Sequence, residues 1–461
     1  MSFRLRAALV AGAALLVYGL TLAAAPFYDD QVFIQGNPLF DMPFGTFLSA
    51  LVSRGYFLLT GERTWQPLVT LFHYFTHERA WLFRLAGILL HALNAVLVTF
   101  YARRLLKDDA RALLAGLLFA FFPPSTEAVA VSAFKGHPAA FAFILAALLA
   151  WEAESVLVYV FFALGLLCKE TALLIPALAL LRRRLKPAQW ALFGAIALAY
   201  LGIRFLYLLP VPPGGPLVPA GKASVLSFGW YLLRLLWPHP LCLESSLPSG
   251  WTYPLIAALY LGALACARNA LLAWVGLGLL PFLHLVPFAN YSPVADRYLY
   301  LSAAGFCLLL ARLPKAALAA VLVAWGALSL QRNALYSDPE GLAEQTAACA
   351  PRNPRAQAML GGFYADRKRD FPKALACFER AFALDPSYRT RLDEPGLSHI
   401  EGAPYILGSL KLALGDASGA EALLRKGLEE GLGHPDALKA RHSAALLLME
   451  REKAARSRRK R

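Results

Sequence analysis

Long apolar runs separated by short polar loops fill the greater part of the chain. An α-helix rises about 1.5 Å per residue, so about 20 apolar residues are enough to cross the hydrocarbon core of a bilayer. The pattern predicts about eleven membrane-spanning helices, several of them in runs shorter than this. The apolar runs are 6–25, 81–102, 110–122, 138–151, 155–168, 171–181, 188–209, 252–267, 270–288, 298–311 and 315–331.

Segment 224–241 is ambiguous, because it is apolar but carries Arg234, Trp237, Pro238 and His239. If it spans the membrane, every later loop changes side. If it is a half-helix or an interfacial helix, the later loop cations Arg268, Arg312 and Lys315 all fall on the cytoplasmic side. The second alternative obeys the positive-inside rule, and the sequence favours it.

Composition agrees with a membrane protein, since 58% of the 461 residues are hydrophobic and only 16% are charged. A soluble domain averages about 25% charged residues. The net charge of +15 comes mostly from Lys and Arg at the ends of apolar runs, and no nucleic-acid-binding motif is present. We therefore expect a multi-pass protein of the cytoplasmic membrane that contacts lipid, with its N-terminus in the cytoplasm and the C-terminal region outside.

The C-terminal region has a different character. The membrane domain is predicted over 1–334, a helical domain of tetratricopeptide repeats over 335–450, and a basic tail over 451–461. Small and apolar residues at these spacings let paired helices pack closely. The first copy carries Leu360, Gly361, Tyr364, Ala374, Phe378, Ala381 and Pro386. The second copy carries Leu407, Gly408, Ala420, Leu424 and Gly427, and a capping helix is expected over 435–450.

The six cysteines predict neither a metal site nor a disulfide framework. Cys242, Cys349 and Cys377 lie outside the apolar runs, and their spacing matches no zinc or redox motif. No metal ligands are predicted, and whether a divalent metal takes part is left open.

Ionisable residues from distant parts of the chain collect at the predicted outer ends of the spans. Each of them taken singly is also explained as an ordinary solvated loop charge. As a set they abut apolar runs, where charges are costly and are usually retained for function. They are Asp29, Asp30, Glu127, Lys135, His137, Lys169, Glu170, Arg204, Arg234, Asp296 and Arg297.

An acidic pair beside several cations at a membrane surface suits transfer from a lipid-linked phosphosugar. Arg and Lys hold the phosphate and stabilise the charge that develops on it, while a carboxylate takes the proton from the attacking hydroxyl. We expect Asp30 to be this base and Asp29 its neighbour, because one more residue of reach gives Asp30 better access. The phosphate contacts are expected from Arg204, Arg297, Lys169 and Arg234.

Six segments in order resemble the transmembrane O-mannosyltransferases that carry tetratricopeptide repeats, and their bacterial relatives. They are YDDQVFIQGNP, TWQPLVTLFHYF, HALNAVLV, STEAVAVSAFKGH, CKETALLIP and ADRYLYLSAAG, which lie within residues 26–310. The family is similar to the glycosyltransferase-C superfamily. The resemblance therefore implies an all-α multispan fold, an extracytoplasmic active site and a polyprenyl-phosphate sugar donor.

The family motifs fall on particular residues here. The aspartate pair falls on Asp29 and Asp30, the region of the catalytic acid, and Thr-Glu falls on Thr126-Glu127. Two further matches are Lys169-Glu170 and Asp296-Arg297-Tyr298. The chain departs from the family at His137, which replaces an acid in a basic-x-acidic element that begins at Lys135, and at Pro123-Pro124, which replace His-Pro. The resemblance places Glu127, Lys135, His137, Glu170, Asp296 and Tyr298 around the cavity.

The predicted function is a membrane glycosyltransferase that moves a sugar from a polyprenyl-phosphate donor to an extracytoplasmic acceptor. A protein hydroxyl is the favoured acceptor, and a glycan or a lipid stays open; the repeats would bind the acceptor or a partner protein. The alternative is a non-enzymatic membrane scaffold that recruits partners through its repeats. A transporter is disfavoured, because inverted repeats and mid-span charge pairs are not detectable.

Overall fold

The protein is seen in a computed structural model, which describes residues 2–24, 26–30, 33–34, 37–60, 64–208, 217–286, 288–289, 292–386, 388, 391–392, 400–401 and 403–429. The chain forms two compact units. The first holds Met1–Leu243 and Leu247–Asp338, and the second holds Glu244–Ser246 and Pro339–Arg461. The sequence placed a domain boundary between 334 and 335. The structure divides the chain slightly later because the last helix of the first unit continues to Tyr336.

Helices make up the first unit. They are α1 Phe3–Tyr18, α2 Phe44–Leu51, α3 Tyr56–Thr60, α4 Pro67–Thr76, α5 Ala80–Leu106, α6 Asp109–Phe121, α7 Ser125–Ala130, α8 Gly136–Glu152, α9 Leu157–Leu166, α10 Ile175–Leu180, α11 Pro187–Gly202, α12 Lys222–Leu236, α13 Thr252–Ala267, α14 Ala270–Leu279, α15 Tyr300–Leu310 and α16 Lys315–Tyr336. The described strands of this unit, β1 Leu217–Val218 and β2 Phe288–Ala289, pair antiparallel. The described part of the unit is therefore all-α apart from one two-residue ladder.

Five helical segments are long and apolar enough to cross a membrane. They are Phe3–Ala23, Ala80–Leu106, Ser132–Glu152, Pro187–Tyr207 and Lys315–Tyr336. Shorter apolar helices coincide with four further runs. They are Leu157–Leu166, Glu170–Leu180, Thr252–Ala267 and Ala270–Phe282. The ambiguous segment forms α12, which has 15 residues and is not one of the five. The structure thus gives five helices of spanning length where the runs predicted about eleven spans.

Local sequence signals explain where several of these helices begin and end. The Asp108 side chain accepts hydrogen bonds from the backbone N–H groups of Ala110 and Arg111 at the start of α6. Asn269 caps α14 in the same way through the N–H of Leu271. Such caps satisfy backbone donors that have no partner inside the helix. Lys107 and Arg268 end α5 and α13 in the left-handed conformation.

Helix α5 lies at the centre of the unit and packs against α1, α6 and α8. A Cβ atom on Gly116 of α6 would lie only 1.9 Å from Oγ1 of Thr99, so the two backbones approach closely there. Two buried polar residues of α5 reach its neighbours. Nδ1 of His91 lies 2.7 Å from the hydroxyl of Tyr300, and Asn94 donates to the carbonyl of Pro138 at 2.8 Å. Small residues and interhelical hydrogen bonds are the usual means of packing helices in lipid.

The second unit is built from helix pairs. Its described helices are α17 Pro339–Cys349, α18 Pro354–Phe363, α19 Phe371–Leu384, α20 Ala403–Ala413 and α21 Ala417–Glu429. A Cβ on Gly361 would lie 2.9 Å from the ring of Phe378, and a Cβ on Gly408 would lie 2.9 Å from Leu424. The two hairpins, α18–α19 and α20–α21, therefore close through the same glycine-to-apolar contact. Strands β3 Arg391–Leu392 and β4 Ile400–Glu401 pair antiparallel between them.

Residues Glu244–Ser246 join the second unit, although the sequence had assigned them to the membrane domain. Glu244 is fully buried, and its carboxylate lies 3.3 Å from Nε of Arg355 and 3.4 Å from Nδ2 of Asn353. The predicted capping helix 435–450 and the basic tail 451–461 lie outside the described residues.

The cysteine prediction needs a correction. Cys242 and Cys349 are disulfide-bonded, whereas Cys168, Cys266, Cys307 and Cys377 are free thiols. Neither cysteine lies in a recognisable spacing motif, so no signal in the sequence indicated a disulfide at either position.

Candidate active site

The aspartate pair follows the first helix and a short 3-10 turn, Gly19–Ala23. Tyr28, directly before the pair, has a φ of 56°, a left-handed conformation that is uncommon for a tyrosine. The chain therefore turns sharply at the start of the loop. The rest of the site comes from the start of α5, the segment α7 to α8, and the 3-10 turn Asp296–Leu299 before α15.

Asp30 is paired with a residue that the sequence analysis did not single out. Its Oδ2 atom lies 3.1 Å from Nη2 of Arg84, both side chains are fully buried, and its Oδ1 accepts a hydrogen bond of 2.8 Å from the N–H of Ala133. Burial raises the pKa of Asp30, and the positive charges of Arg84 and Lys135 oppose the rise. Asp30 is therefore held in place by a neighbouring cation and a backbone donor.

Asp29 is more exposed than Asp30, although Asp30 lies one residue further along the chain from the first span. Asp30 has no exposed surface, while Asp29 is 7% exposed. The exposed surface therefore does not support the expectation that Asp30 reaches an incoming hydroxyl more easily, because its side chain is held inside the protein by Arg84 and Ala133.

Glu127 and Arg297 form a second buried pair. Glu127 accepts a 2.9 Å hydrogen bond from the backbone N–H of Arg297 and another from its guanidinium. The guanidinium lies over the rings of Phe134 and Tyr298, at 4.2 and 4.8 Å. Burial raises the pKa of Glu127, against the lowering effect of Arg297. Burial alone would lower the pKa of Arg297, but Tyr298 and Glu127 raise it.

Asp296 is buried beside two further arginines. Its Oδ1 atom lies 3.9 Å from Nε of Arg234, and the charge of Arg332 also acts on it. Burial raises the pKa of Asp296, and both arginines oppose this. Arg234 also lies over the ring of Trp230, at 4.9 Å. Arg234 and Asp296, predicted as parts of one site, therefore lie together.

The turn formed by Lys135, Gly136 and His137 connects the Asp30–Arg84 pair with the Glu127–Arg297 pair. Lys135 acts electrostatically on Asp30, and His137 faces the positive charges of Lys169 and Arg297. A Cβ on Gly136 would lie 3.6 Å from Cδ of Lys169, so that lysine packs directly on the turn. The His137 ring lies 5.7 Å from that of Tyr298. The turn therefore carries one cation, Lys135, and lies beside two more, Lys169 and Arg297.

Arg204 and Glu170 form a pair of their own. Nε of Arg204 lies 2.9 Å from Oε1 of Glu170, and the guanidinium lies over the rings of Phe57 and Phe205. Glu170 follows Lys169 in the chain, so this pair is next to the turn. Among the predicted site residues, Arg204 therefore contacts Glu170 directly.

An apolar cavity of about 430 Å³ lies beside the turn. Residues of α4, α5 and α8 line it, among them Val69, Leu90 and Phe143. Lys135 is its one ionisable lining residue apart from Cys168. Its Nζ atom has no hydrogen-bond partner among the described residues and lies 5.3 Å from the ring centroid of Phe83. The cavity thus combines an apolar wall with one buried ammonium group.

Two arginines, Arg84 and Arg332, belong to this site but were missed. Arg84 is a charge inside the apolar run 81–102, and an ionisable residue in a span is itself a signal of function. Arg332 follows directly on the run 315–331, a position where a cation is common and carries no signal of function. In the described ranges, no group of three or more His, Cys, Asp or Glu side chains is placed to hold a metal ion.

No family model, no curated protein and no solved structure matches the chain. The described residues themselves form an all-α protein with five helices long and apolar enough to cross a membrane. They also form a buried cluster of carboxylates and cations beside an apolar cavity.

Proposed function

We propose that this protein is a membrane glycosyltransferase of the glycosyltransferase-C type, which transfers a sugar from a polyprenyl-phosphate donor to an extracytoplasmic hydroxyl, most simply on a protein. The observation that carries the proposal is the buried ammonium group of Lys135 at an apolar cavity, beside the Asp30–Arg84 and Glu127–Arg297 pairs. An isoprenoid phosphate is apolar along its chain and anionic at its head, and this cavity has the complementary character.

The position of the cluster along α5 supports a lipid-linked donor. Arg84 lies near the start of α5 and Arg103 in its last turn. At about 1.5 Å per residue these two positions are about 28 Å apart, which matches the hydrocarbon thickness of about 30 Å. This distance supports a position of the cluster at the depth of one lipid headgroup layer, opposite the basic loops.

The chemistry is a displacement at the anomeric carbon of the sugar. The acceptor oxygen forms a bond to this carbon as the bond from the carbon to the phosphate oxygen breaks, and its electron pair stays on the lipid phosphate. Lys135, Lys169 and Arg297 stabilise that charge. We assign Asp29 as the base that takes the proton from the acceptor hydroxyl, because it is the more exposed carboxylate of the pair. We assign a positioning role to Asp30.

The second unit supports an acceptor-binding role. We assign its two hairpins to tetratricopeptide repeats, because the Gly361–Phe378 and Gly408–Leu424 contacts repeat the same close packing. Stacked repeats present extended concave surfaces that bind other proteins.

The test is a transfer assay with the full chain in lipid nanodiscs and a panel of polyprenyl-phosphate sugars. We expect turnover with at least one donor, and Asp29→Asn should lower it by about a hundredfold to ten-thousandfold, the usual contribution of a general base. Asp41→Asn, at a largely exposed carboxylate, is the matched control and should leave turnover unchanged. Absence of transfer with every donor would favour the scaffold alternative, and equal turnover in the two variants would show that Asp29 is not the base.

A further inference from the structure

A second cavity lies at the opposite end of the first unit, away from the candidate active site. Its volume is about 220 Å³. Polar and aromatic groups from four parts of the chain line it: Tyr101 of α5, Arg182 after α10, Asn269 and Trp274 at α14, and Arg312 after α15. Apolar side chains, among them Leu105, Leu178 and Leu181, form the rest of the wall. It is therefore a mixed pocket, cationic and apolar, rather than an apolar groove.

The position of this pocket on α5 places it at a membrane surface. Tyr101 lies in the last two turns of α5, about 26 Å along the helix from Arg84. Tyr101 and Trp274 pack edge to face, with ring centroids 5.5 Å apart. Tyr and Trp are enriched at the boundary between lipid and water, so the pocket is at headgroup level on the side of the basic loops.

The positive charge of the pocket is not fully neutralised by the protein. The four carboxylates at this end are each paired to an arginine: Asp108 to Arg111, Asp109 to Arg6 and Arg103, Glu152 to Arg182, and Glu154 to Arg183. Arg312 is not in any of these pairs, and its side chain makes no ion pair within the described part of the chain. Arg182 uses Nε for Glu152, at 2.6 Å, which leaves its two terminal nitrogens for another acceptor.

The hydroxyl-bearing side chain of Tyr101 also lines this pocket. Tyr101 is only 2% exposed, and its hydroxyl makes no hydrogen bond to another described residue. Two guanidinium groups and a hydroxyl around one small volume are the donors that bind a phosphate oxyanion, since the guanidinium fork matches its geometry.

We propose that this pocket binds the phosphate of an anionic phospholipid from the leaflet that meets the basic loops, with an acyl chain lying along the leucine wall. Basic pockets between membrane helices on the cytoplasmic side are suited to such headgroups. The leucines favour a lipid over a free phosphate, because a soluble anion would leave them in contact with water. The proposal does not depend on the proposed transferase activity.

The test measures lipid binding to the full chain in nanodiscs of phosphatidylcholine, titrated with phosphatidylglycerol and read by native mass spectrometry. Arg312→Gln is the first variant, because its side chain leaves no carboxylate unpaired. Arg184→Gln is the control, since Arg184 is an exposed cation on the same side that does not line the pocket. A hydrogen bond to a charged group is worth about 1.5–3 kcal/mol, or about tenfold and more in affinity.

We expect Arg312→Gln to weaken phosphatidylglycerol binding about tenfold and Arg184→Gln to change it less than about twofold. Tyr101→Phe, which removes only the hydroxyl, should weaken binding about threefold to tenfold and serves if Arg312→Gln fails to fold. Equal losses in Arg312→Gln and Arg184→Gln would mean unspecific attraction to a basic surface and would overturn the proposal. Displacement of the lipid by millimolar inorganic phosphate would identify a soluble-anion site and would overturn it as well.

Discussion

Nη2 of Arg84 lies 3.1 Å from Oδ2 of Asp30, and neither side chain has any exposed surface. The pair joins the loop after α1 to the first turns of α5, so it holds the aspartate pair next to the turn of Lys135. Removing one member of a buried ion pair leaves an uncompensated charge, which is costly, whereas removing both is often tolerated.

Arg84→Met should therefore destabilise the protein by about 3–5 kcal/mol. The double variant Asp30→Asn with Arg84→Met should recover most of this loss, because no buried charge is then left without its partner. Detergent-induced unfolding in mixed micelles measures both. A double variant as unstable as Arg84→Met alone would show that the arginine stabilises the fold in some other way.

The stability of the first unit should fall as the pH rises above the ordinary carboxyl range near 4. Burial raises the pKa of Asp296, so the folded protein keeps its proton at a pH where the unfolded chain has lost it. Stability decreases with pH wherever the folded state binds more protons. Asp296→Asn should flatten this dependence in thermal unfolding above about pH 4. An unchanged slope in Asp296→Asn would assign the effect to another group.

Arginine should not be replaceable by lysine at the predicted phosphate contacts. Arg297→Lys keeps the charge but loses the planar guanidinium that donates to Glu127 and, in our proposal, to the donor phosphate. We expect weaker donor binding and slower transfer for Arg297→Lys, and a smaller effect for Arg204→Lys, whose contact is with Glu170. Donor titration followed by a turnover assay compares the two. Wild-type behaviour of both variants would remove these arginines from the donor site.

Two adjacent glycines of α18 should respond oppositely to alanine. A Cβ on Gly361 would lie 2.9 Å from the Phe378 ring, whereas the nearest atom to a Cβ on Gly362 is Oδ2 of Asp366, at 4.0 Å. Gly361→Ala should destabilise the second unit by about 1–3 kcal/mol through overpacking. Gly362→Ala should be neutral or should stabilise it by up to about 1 kcal/mol through helix propensity. Limited proteolysis of the full chain compares the stability of the two variants. Equal protease sensitivity of Gly361→Ala and Gly362→Ala would mean that the α18–α19 hairpin does not close at Gly361.

The second unit should lie in an oxidising compartment. Cys349 and Cys242 are disulfide-bonded, and such bonds persist mainly outside the cytoplasm. Both cysteines should therefore resist alkylation in intact cells until a reductant is added. In a background without Cys266 and Cys377, a membrane-impermeant maleimide should label Ser418→Cys but not Arg184→Cys. Labelling with the opposite preference would reverse the predicted topology.

The apolar runs and the helical hairpins could be predicted from the sequence because both depend on local patterns. The run 81–102 became α5, and Gly361 and Gly408 marked the close helix contacts, since only a residue without a Cβ fits there. The number of full-length spans could not be predicted in the same way. A run interrupted by Pro or Gly gives a helix too short to cross by itself, as in α14, which ends at Leu279 before Pro281.

The sequence by itself determined that the chain is apolar, helical and basic at alternate loops, and it indicated which ionisable residues abut the apolar runs. Only the tertiary structure decided their partners. Arg297 meets Glu127 across 170 residues, Asp30 is buried by Arg84, and the cavity at Lys135 forms where α4, α5 and α8 converge. Hydrophobic periodicity is a property of neighbouring residues, whereas an ion pair depends on which helix faces lie against each other, and that follows from packing the whole unit.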